Sequence, residues 1–177
     1  MANLLPFTLA VTKRGTRLLA HLAKANEQVA QLREGTPALI LFQGPQGYVS
    51  PNWYPTKHAH GRAVPTWNYI VVEARGTPCI LEDGDWVRDQ VSGLTTAHEQ
   101  GRPAAWSLKD APADYIEGQL RGIVGLEIAV DQLTGKWKVS QNQPPENRAG
   151  VEQALRAGGN AALADEVCTG PLVRRRS

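Results

Sequence analysis

Cysteine is scarce in this sequence of 177 residues. Cys79 and Cys168 lie far apart and form no CxxC pair, so the chain carries no disulfide framework of the kind found in small secreted domains. The N-terminal stretch MANLLPFTLAV lacks the basic region and the small-residue cleavage site of a secretory signal. No apolar run is long enough to span a membrane. We therefore expect a soluble, cytoplasmic protein whose two cysteines are reduced thiols.

The sequence also lacks a strong net charge. It has 19 Lys and Arg residues against 17 Asp and Glu residues, which gives a net charge of +2. This charge is too weak for a surface that wraps nucleic acid, and neither a helix-turn-helix pattern nor a basic stripe is present. The most basic run, Arg174 to Arg176, is typical of a solvated tail. Direct binding of nucleic acid is therefore not expected.

Several motifs that carry chemistry are absent. The chain has no GxGxxG after a strand, no GxxxxGK[ST] phosphate loop and no GxSxG serine elbow. His58 and His60 have no carboxylate or cysteine near them in the sequence, whereas a zinc site needs about three or four ligands. We therefore predict no metal site and no hydrolase chemistry.

The hydrophobic pattern predicts antiparallel strands with helices inserted between them. Strands are expected at 4–11, 17–20, 37–50 and 66–76, with Thr77–Leu81 pairing back on the last of these. The stretch IVGLEIAVDQLTGKWKVS is interpreted as a hairpin that turns near Leu133, Thr134 and Gly135. Residues 51–65 are interpreted as a loop. Because the pattern has no regular βαβ alternation, it favours an antiparallel β-barrel with peripheral helices over a doubly wound sheet.

Four helices are expected, and three of them have a start signal. A short helix is predicted at 27–34, after Asn26. Asp85 is the expected cap of a helix that ends at Gly101, and Asp110 is the expected cap of the next. The Ala-rich sequence after residue 143 is expected to be helical as well.

One segment, YVSPNWYPTKHAHGRAVPTWNY, gathers two of the five tryptophans and three of the four tyrosines. Its rings offer flat apolar faces, while lysines and hydroxyls suit a phosphate and amides suit a carbonyl and imide edge. A phosphorylated planar ligand would use all three kinds of group: the aromatic rings, the lysines with the hydroxyls, and the amides. The alternative is that the aromatic rings fill a barrel core or a dimer seam, and the residues alone leave both open. With the downstream KWKVSQN, the candidate set is Ser50, Trp53, Tyr54, Lys57, Thr66, Trp67, Asn68, Tyr69, Lys138, Ser140, Gln141 and Asn142.

The stretch from ILFQGPQGYVSPNWYP to PTWNYIVVEARG resembles the PaiB family of FMN-binding negative transcriptional regulators. The resemblance continues through DAPADYIEGQLRGIVGLEIAV, GKWKVSQN and NRAGVEQALRAGG. It is the ordered combination of SPxWY, VPTWNY and K-SQN that is specific. The family pattern has a helix and a strand before the segment like NLLPFTLA, which here starts close to Met1. Roughly thirty residues of that pattern are therefore not expected in this chain.

This resemblance implies an antiparallel split β-barrel of the FMN-binding, pyridoxamine-oxidase-like type, with inserted and C-terminal helices. It implies a split-barrel FMN-binding domain at 1–142, with a helical insertion at about 83–121, and a helical tail at 143–177 packed on the same domain. The expected assembly is a homodimer with FMN at the subunit interface. The implied function is indirect regulation of transcription, and the alternative is a flavin-dependent oxidoreductase acting on a small molecule.

The resemblance also implies roles for the candidate residues. Lys57 and Lys138 are the expected phosphate contacts, helped by hydroxyl groups, and three aromatic residues are expected to flank the isoalloxazine ring. Amides are expected at the polar edge of that ring. For the oxidoreductase alternative, the sequence shows no dedicated acid–base group beyond Tyr54, His58 and His60, so no catalytic residue is assigned. The hydroxyl helpers are Ser50, Thr66 and Ser140, the flanking rings are Trp53, Trp67 and Tyr69, and the amides are Asn68, Gln141 and Asn142.

Overall fold

The protein is described by a computed structural model over residues 2–13 and 15–170. Across those residues, none of the helices is both long and apolar enough to cross a membrane. Two 3-10 turns lie at Pro51–Trp53 and Leu108–Asp110. The strands and helices are β1 Thr8–Thr12, β2 Gly15–Ala23, α1 Gln28–Arg33, β3 Ala38–Val49, α2 Lys57–His60, β4 Thr66–Leu81, α3 Gly84–Glu99, α4 Ala113–Arg121, β5 Ile123–Lys138, α5 Pro145–Ala157 and α6 Ala161–Thr169.

The strands form one sheet in the order β1-β2-β5-β4-β3. β2 is antiparallel to both β1 and β5, and Leu18 of β2 lies opposite Ile128 of β5. Within the described residues the sheet is open, with β1 and β3 at its edges. The predicted fold class, mainly β with an antiparallel split barrel and with inserted and C-terminal helices, is confirmed as a mainly antiparallel five-stranded sheet with helices, although the sheet does not close within the described residues.

The chain divides into two compact units, and the first comprises Met1–Ile40 and Ala74–Gln132. Its core lies between the strands and α1. Alternate residues of β2 are buried from Leu18 to Leu22, as expected for a strand with one covered face, whereas the buried residues of β5 are Val124 to Leu126 and Ile128. The buried core residues are Leu18, Ala20, Leu22, Val29, Ala74, Val124, Leu126 and Ile128.

The second unit comprises Leu41–Glu73 and Leu133–Ser177. Its core joins the end of β3 and the middle of β4 to the two C-terminal helices. Asn160 begins α6 by accepting a hydrogen bond from the Leu163 amide at 3.3 Å. The predicted helical tail is thus two helices, and Arg174 to Arg176 lie outside the described residues. The buried core residues are Val49, Tyr54, Ile70, Val139, Val151, Leu155, Leu163, Ala164 and Val167.

Two predicted reversals of the chain are wrong. The expected hairpin with a turn at 133–135 is one strand, β5, and Thr77–Leu81 continues β4 instead of pairing back on it. Gly135 lies within β5 and is not among the described glycines with positive φ. In the sheet β5 lies between β2 and β4, and β4 lies between β5 and β3, so each has neighbouring strands other than a local hairpin partner; the pairing of β5 with β2 covers Ile123–Ala129.

The predicted helix caps are also corrected. Asp83, not Asp85, begins α3, because its side chain accepts from the amides of Asp85 at 2.9 Å and Trp86 at 3.1 Å. The Asp110 carboxylate accepts from the Ser107 hydroxyl at 2.8 Å and amide at 2.7 Å instead of capping α4. Those two hydrogen bonds lower the pKa of the Asp110 carboxyl. The first strand begins at Thr8 instead of Leu4, and the predicted loop at 51–65 contains a 3-10 turn and α2.

Candidate functional site

The twelve candidate residues all lie in the second unit. Eight of them come from the loop after β3 and from the first residues of β4, and the other four come from the end of β5 and the turn that follows. Sequence positions about seventy residues apart are therefore brought into hydrogen-bonding distance in two pairs, Thr66 with Lys138 and Asn68 with Ser140.

A buried polar cluster joins β4 to the end of β5. The Asn68 amide Nδ2 donates to Ser140 Oγ at 2.8 Å, and the Ser140 hydroxyl is also hydrogen-bonded to the Tyr54 phenol. Asn68 is only 1% exposed, and Tyr54 and Ser140 are each 4% exposed. Ser140 has φ of 60°, the one positive value among the described non-glycine residues. These groups hydrogen-bond one another away from solvent, so they fix the strand ends in place.

An exposed cation and hydroxyl lie at the edge of this cluster. Lys138 Nζ donates to Thr66 Oγ1 at 2.8 Å. The Thr66 hydroxyl accepts this hydrogen bond and so keeps its own proton for another acceptor, while the ammonium keeps two further protons. Such a pair can donate to a phosphate through charge-assisted hydrogen bonds.

Lys136 on β5 contacts the Tyr69 ring on β4. The alternation of side chains along each strand assigns Trp67 and Lys138 to the same face, although Lys138 Nζ is itself hydrogen-bonded to Thr66, the residue before Trp67. Side chains two residues apart on a strand point the same way. Trp67 and Tyr69 are therefore on one face of β4, and Lys136 and Lys138 are on one face of β5. Lys136 Nζ lies 5.8 Å from the centroid of the Tyr69 ring, within cation–π range. Trp67 is 49% exposed, with its indole donating to Gln46 Oε1 at 3.0 Å. We call Trp67, Tyr69, Lys136 and Lys138 the aromatic–lysine face.

The loop after β3 is held by its own polar groups. Ser50 begins the 3-10 turn by accepting from the Asn52 amide at 3.2 Å, and Lys57 Nζ donates to Asn52 Oδ1. Trp53 packs against the core of the unit. His58 and His60 are exposed on α2, and across the described residues no three histidine, cysteine or acidic side chains come together as metal ligands.

The turn after β5 uses the predicted amides in different ways. Gln141 Oε1 accepts from the Val139 amide at 2.8 Å, and its Nε2 donates to the Trp137 carbonyl at 2.7 Å. The Gln141 side chain is thus tied to the strand end, whereas Asn142 is exposed. Sequence reasoning missed Lys136, although its spacing of two from Lys138 places both on one face of a strand.

The buried Tyr54 phenol makes the stability of the fold depend on pH in the alkaline range. Burial raises its pKa above the ordinary value, and the hydrogen bond with Ser140 opposes that shift. A raised folded-state pKa stabilises the fold below about pH 10, and this contribution is lost as pH rises through the folded-state value. We expect the free energy of unfolding, measured with urea, to fall more steeply above about pH 10 in the wild type than in Tyr54→Phe.

Tyr115 provides the control for this measurement because its side chain is 57% exposed. Tyr115→Phe is expected to keep the steep alkaline loss of the wild type. Equal slopes for Tyr54→Phe and the wild type would contradict the role of the buried phenol.

Comparisons with known proteins give one family. The family model described as "Putative FMN-binding domain" matches residues 1–132. An uncharacterized protein of Aspergillus fumigatus is 34% identical over 166 residues, which cover 76% of this chain and 64% of that protein. Protease synthase and sporulation protein PAI 2 of Bacillus subtilis is 33% identical over 128 residues, which cover 71% of this chain and 58% of that protein. The chain thus spans less than two thirds of the length of each of these two relatives.

A search of solved structures found similarity to the FAD and heme binding protein from Mycobacterium smegmatis. The two chains are 19% identical with a TM-score of 0.49, and the match covers 75% of this chain and 58% of that one.

Proposed function

The chain belongs to the family of FMN-binding domains that matches residues 1–132, and from this premise we propose that its second unit binds FMN. Membership of this family confirms the resemblance seen in the sequence motifs. The observation that carries the proposal is the aromatic–lysine face, where Lys136 lies over the partly buried Tyr69 ring and Trp67 is half exposed.

The chemistry of this face fits the two ends of FMN. The phosphate needs positive charge and hydroxyl donors, which Lys138 and Thr66 supply as a pair, with Lys136 nearby on the same strand. The isoalloxazine ring needs flat apolar surface, which the half-exposed Trp67 ring and the Tyr69 ring supply. When bound, FMN would bring its own capacity to transfer hydride or single electrons.

The other candidate residues have supporting roles in this proposal. Lys57 and Ser50 are further phosphate candidates, and Trp53 is a further ring contact. Gln141 and Asn142 are candidates for the polar edge of the ring. Asn68, Ser140 and Tyr54, which are buried, hold the strand ends that carry the exposed groups.

The first test of this site is Lys138→Ala. Loss of a charge-assisted hydrogen bond to phosphate is expected to weaken FMN binding by roughly 10- to 150-fold, because such bonds contribute about 1.5–3 kcal/mol. Binding is measured by quenching of flavin fluorescence. Riboflavin, which lacks the phosphate, is the second ligand, and we expect Lys138→Ala to lose most of the preference for FMN over riboflavin.

Lys109→Ala is the matched control, because it removes the same charge from an exposed position in the first unit. It is expected to leave both affinities unchanged. Equal affinities for FMN in the Lys138→Ala and Lys109→Ala variants would show that Lys138 does not contribute to FMN binding. A wild-type protein that does not bind FMN at all would overturn the proposed function.

We further propose that the protein regulates transcription indirectly. The support is its similarity to PAI 2, whose name refers to protease synthesis and sporulation, together with a net charge of only +2. Tight, sequence-selective binding of the purified protein to a promoter fragment would contradict indirect action. The competing function is a flavin-dependent oxidoreductase acting on a small molecule. Steady consumption of NAD(P)H by the FMN-loaded protein would favour it.

A homodimer with FMN at the subunit interface is the assembly we propose. The support is large exposed apolar side chains in the second unit, among them Leu41 at 59%, Tyr48 at 50% and Trp67 at 49% exposure. Such surface is typical of protein contacts. Sedimentation velocity with and without FMN tests this, and a monomer at every concentration would contradict it.

A further inference from the structure

Helix α5 is hydrogen-bonded to the loop that carries Trp53, Tyr54 and Lys57. The Asn147 side chain, only 4% exposed, makes this connection. Its Oδ1 accepts from the Thr56 amide at 3.3 Å and from the Thr56 hydroxyl at 3.0 Å. Its Nδ2 lies 2.9 Å from the same hydroxyl and donates to Gln143 Oε1 at 3.0 Å. Both polar atoms of this buried amide are therefore satisfied, as burial requires.

Thr56 is in an unusual position for these contacts. It directly precedes α2, where a threonine ordinarily turns its hydroxyl onto the helix amides. Here its side chain makes no such cap. The hydroxyl and the backbone amide are instead both directed to Asn147, 91 residues away in the sequence. The loop therefore depends on α5 for hydrogen bonds that it does not make locally.

Gly150 brings the same face of α5 against the same loop. It follows Asn147 by three residues, so the two positions lie on one side of the helix. A Cβ at Gly150 would lie 2.1 Å from the Trp53 carbonyl oxygen and 3.4 Å from Pro55 Cδ. The helix backbone thus contacts the loop backbone directly, and the loop is fixed at Trp53 by packing and at Thr56 by hydrogen bonds.

We propose that Asn147 is a positioning residue for the flavin site. It holds the loop from Trp53 to Lys57 in the conformation that presents the Trp53 ring and the Lys57 ammonium to FMN. This makes α5, which lies beyond the matched residues 1–132, part of the binding unit. The inference rests on the proposed function, because it assigns a role in FMN binding to a residue that does not itself contact the ligand.

A purely structural role for Asn147 would lower stability without changing the affinity of the folded protein. Val151, one turn along α5 and fully buried in the core, separates the two effects. Val151→Ala removes packing but no loop hydrogen bond, so it should lower stability and leave the dissociation constant for FMN within about twofold. Asn147→Ala should weaken FMN binding by roughly 5- to 30-fold, the effect of losing about 1–2 kcal/mol of loop hydrogen bonding.

The loop side of the contact gives a second pair of variants. Thr56→Val removes the hydroxyl, whereas Thr56→Ser keeps it. We expect Thr56→Val to weaken FMN binding about as much as Asn147→Ala does. Thr56→Ser, which keeps the hydroxyl, should bind FMN with the affinity of the wild type. Because both changes break one contact, the double variant Asn147→Ala with Thr56→Val should bind FMN no more weakly than the worse single variant.

Hydrogen–deuterium exchange on the flavin-free protein provides a readout that does not depend on the ligand. The Thr56 amide donates to Asn147, so its exchange should be at least about tenfold faster in Asn147→Ala. Val151→Ala should not increase the exchange rate of the Thr56 amide more than that of other amides. Unchanged exchange, or an unchanged affinity for FMN in Asn147→Ala, would overturn the inference. A wild type that binds no FMN would overturn the proposed function and the flavin role of Asn147, while faster exchange would still assign it to holding the loop.

Discussion

Gly76→Ala is expected to destabilise the protein by at least about 3 kcal/mol, at the upper end of the cost of overpacking a core. Gly76 is buried in β4, and a Cβ there would lie 1.9 Å from the carbonyl oxygen of Ala129 and 2.9 Å from Ile128 Cγ2. The first of these atoms belongs to the backbone of β5, so no rotation of a side chain relieves the contact. The two strands would have to separate, which costs hydrogen bonds of the sheet. Urea denaturation followed by circular dichroism measures the loss.

Gly93→Ala is the matched control for this prediction. Gly93 lies within α3 and is exposed, and apart from its chain neighbours and the backbone of its own helix nothing lies within 4 Å of a Cβ at this position. Alanine in a helix interior is more stable than glycine by about 0.5–1 kcal/mol, so this variant is expected to stabilise the protein. The same chemical change thus has opposite signs at the two positions. Destabilisation of less than about 1 kcal/mol by Gly76→Ala would contradict the close approach of β4 and β5.

Features of the fold that repeat along the sequence were predictable from it. The alternation of buried residues from Leu18 to Leu22 in β2 has a period of two, and the Ala-rich tail has the composition of a helix. The hairpin at 133–135 was predicted wrongly because Thr134 and Gly135 are typical turn residues. Whether a strand ends there depends on the strands beside it, and β5 lies next to β4 in the sheet. That information lies in distant parts of the chain.

The candidate site also contains residues that the sequence predicts and residues that it does not. Its aromatic and lysine residues stand out by composition, and the sequence placed them in two segments that both lie in the second unit. The residues that hold those segments do not stand out. Asn147 is one amide in a polar stretch, and its partner Thr56 is 91 residues away, so no local pattern indicates the contact. Lys136 could have been predicted from the sequence, because residues two positions apart on a strand, such as Lys136 and Lys138, lie on the same face.

Gly150→Ala is expected to destabilise the protein by about 2–3 kcal/mol, although it lies inside a helix where alanine is ordinarily the more stable residue. The reversal follows from the distance of 2.1 Å between a Cβ at this position and the Trp53 carbonyl oxygen. The loop that carries Trp53 must move away from α5 to make room. FMN affinity should therefore fall by about tenfold or more, the equivalent of losing about 1.4 kcal/mol of binding.

Gly118→Ala tests whether this loss comes from the loop contact or from the helix. Gly118 lies in the interior of α4 and is exposed, and the nearest atom outside its chain neighbours and helix backbone, Arg121 Nη2, is 3.8 Å from a Cβ at this position. It should stabilise the protein by about 0.5–1 kcal/mol and leave FMN affinity unchanged. In Gly150→Ala the helical circular dichroism signal should persist while the stability and the affinity fall together, because α5 itself gains a better helix former. A Gly150→Ala protein that is more stable than the wild type and binds FMN equally well would show that α5 does not press on the loop.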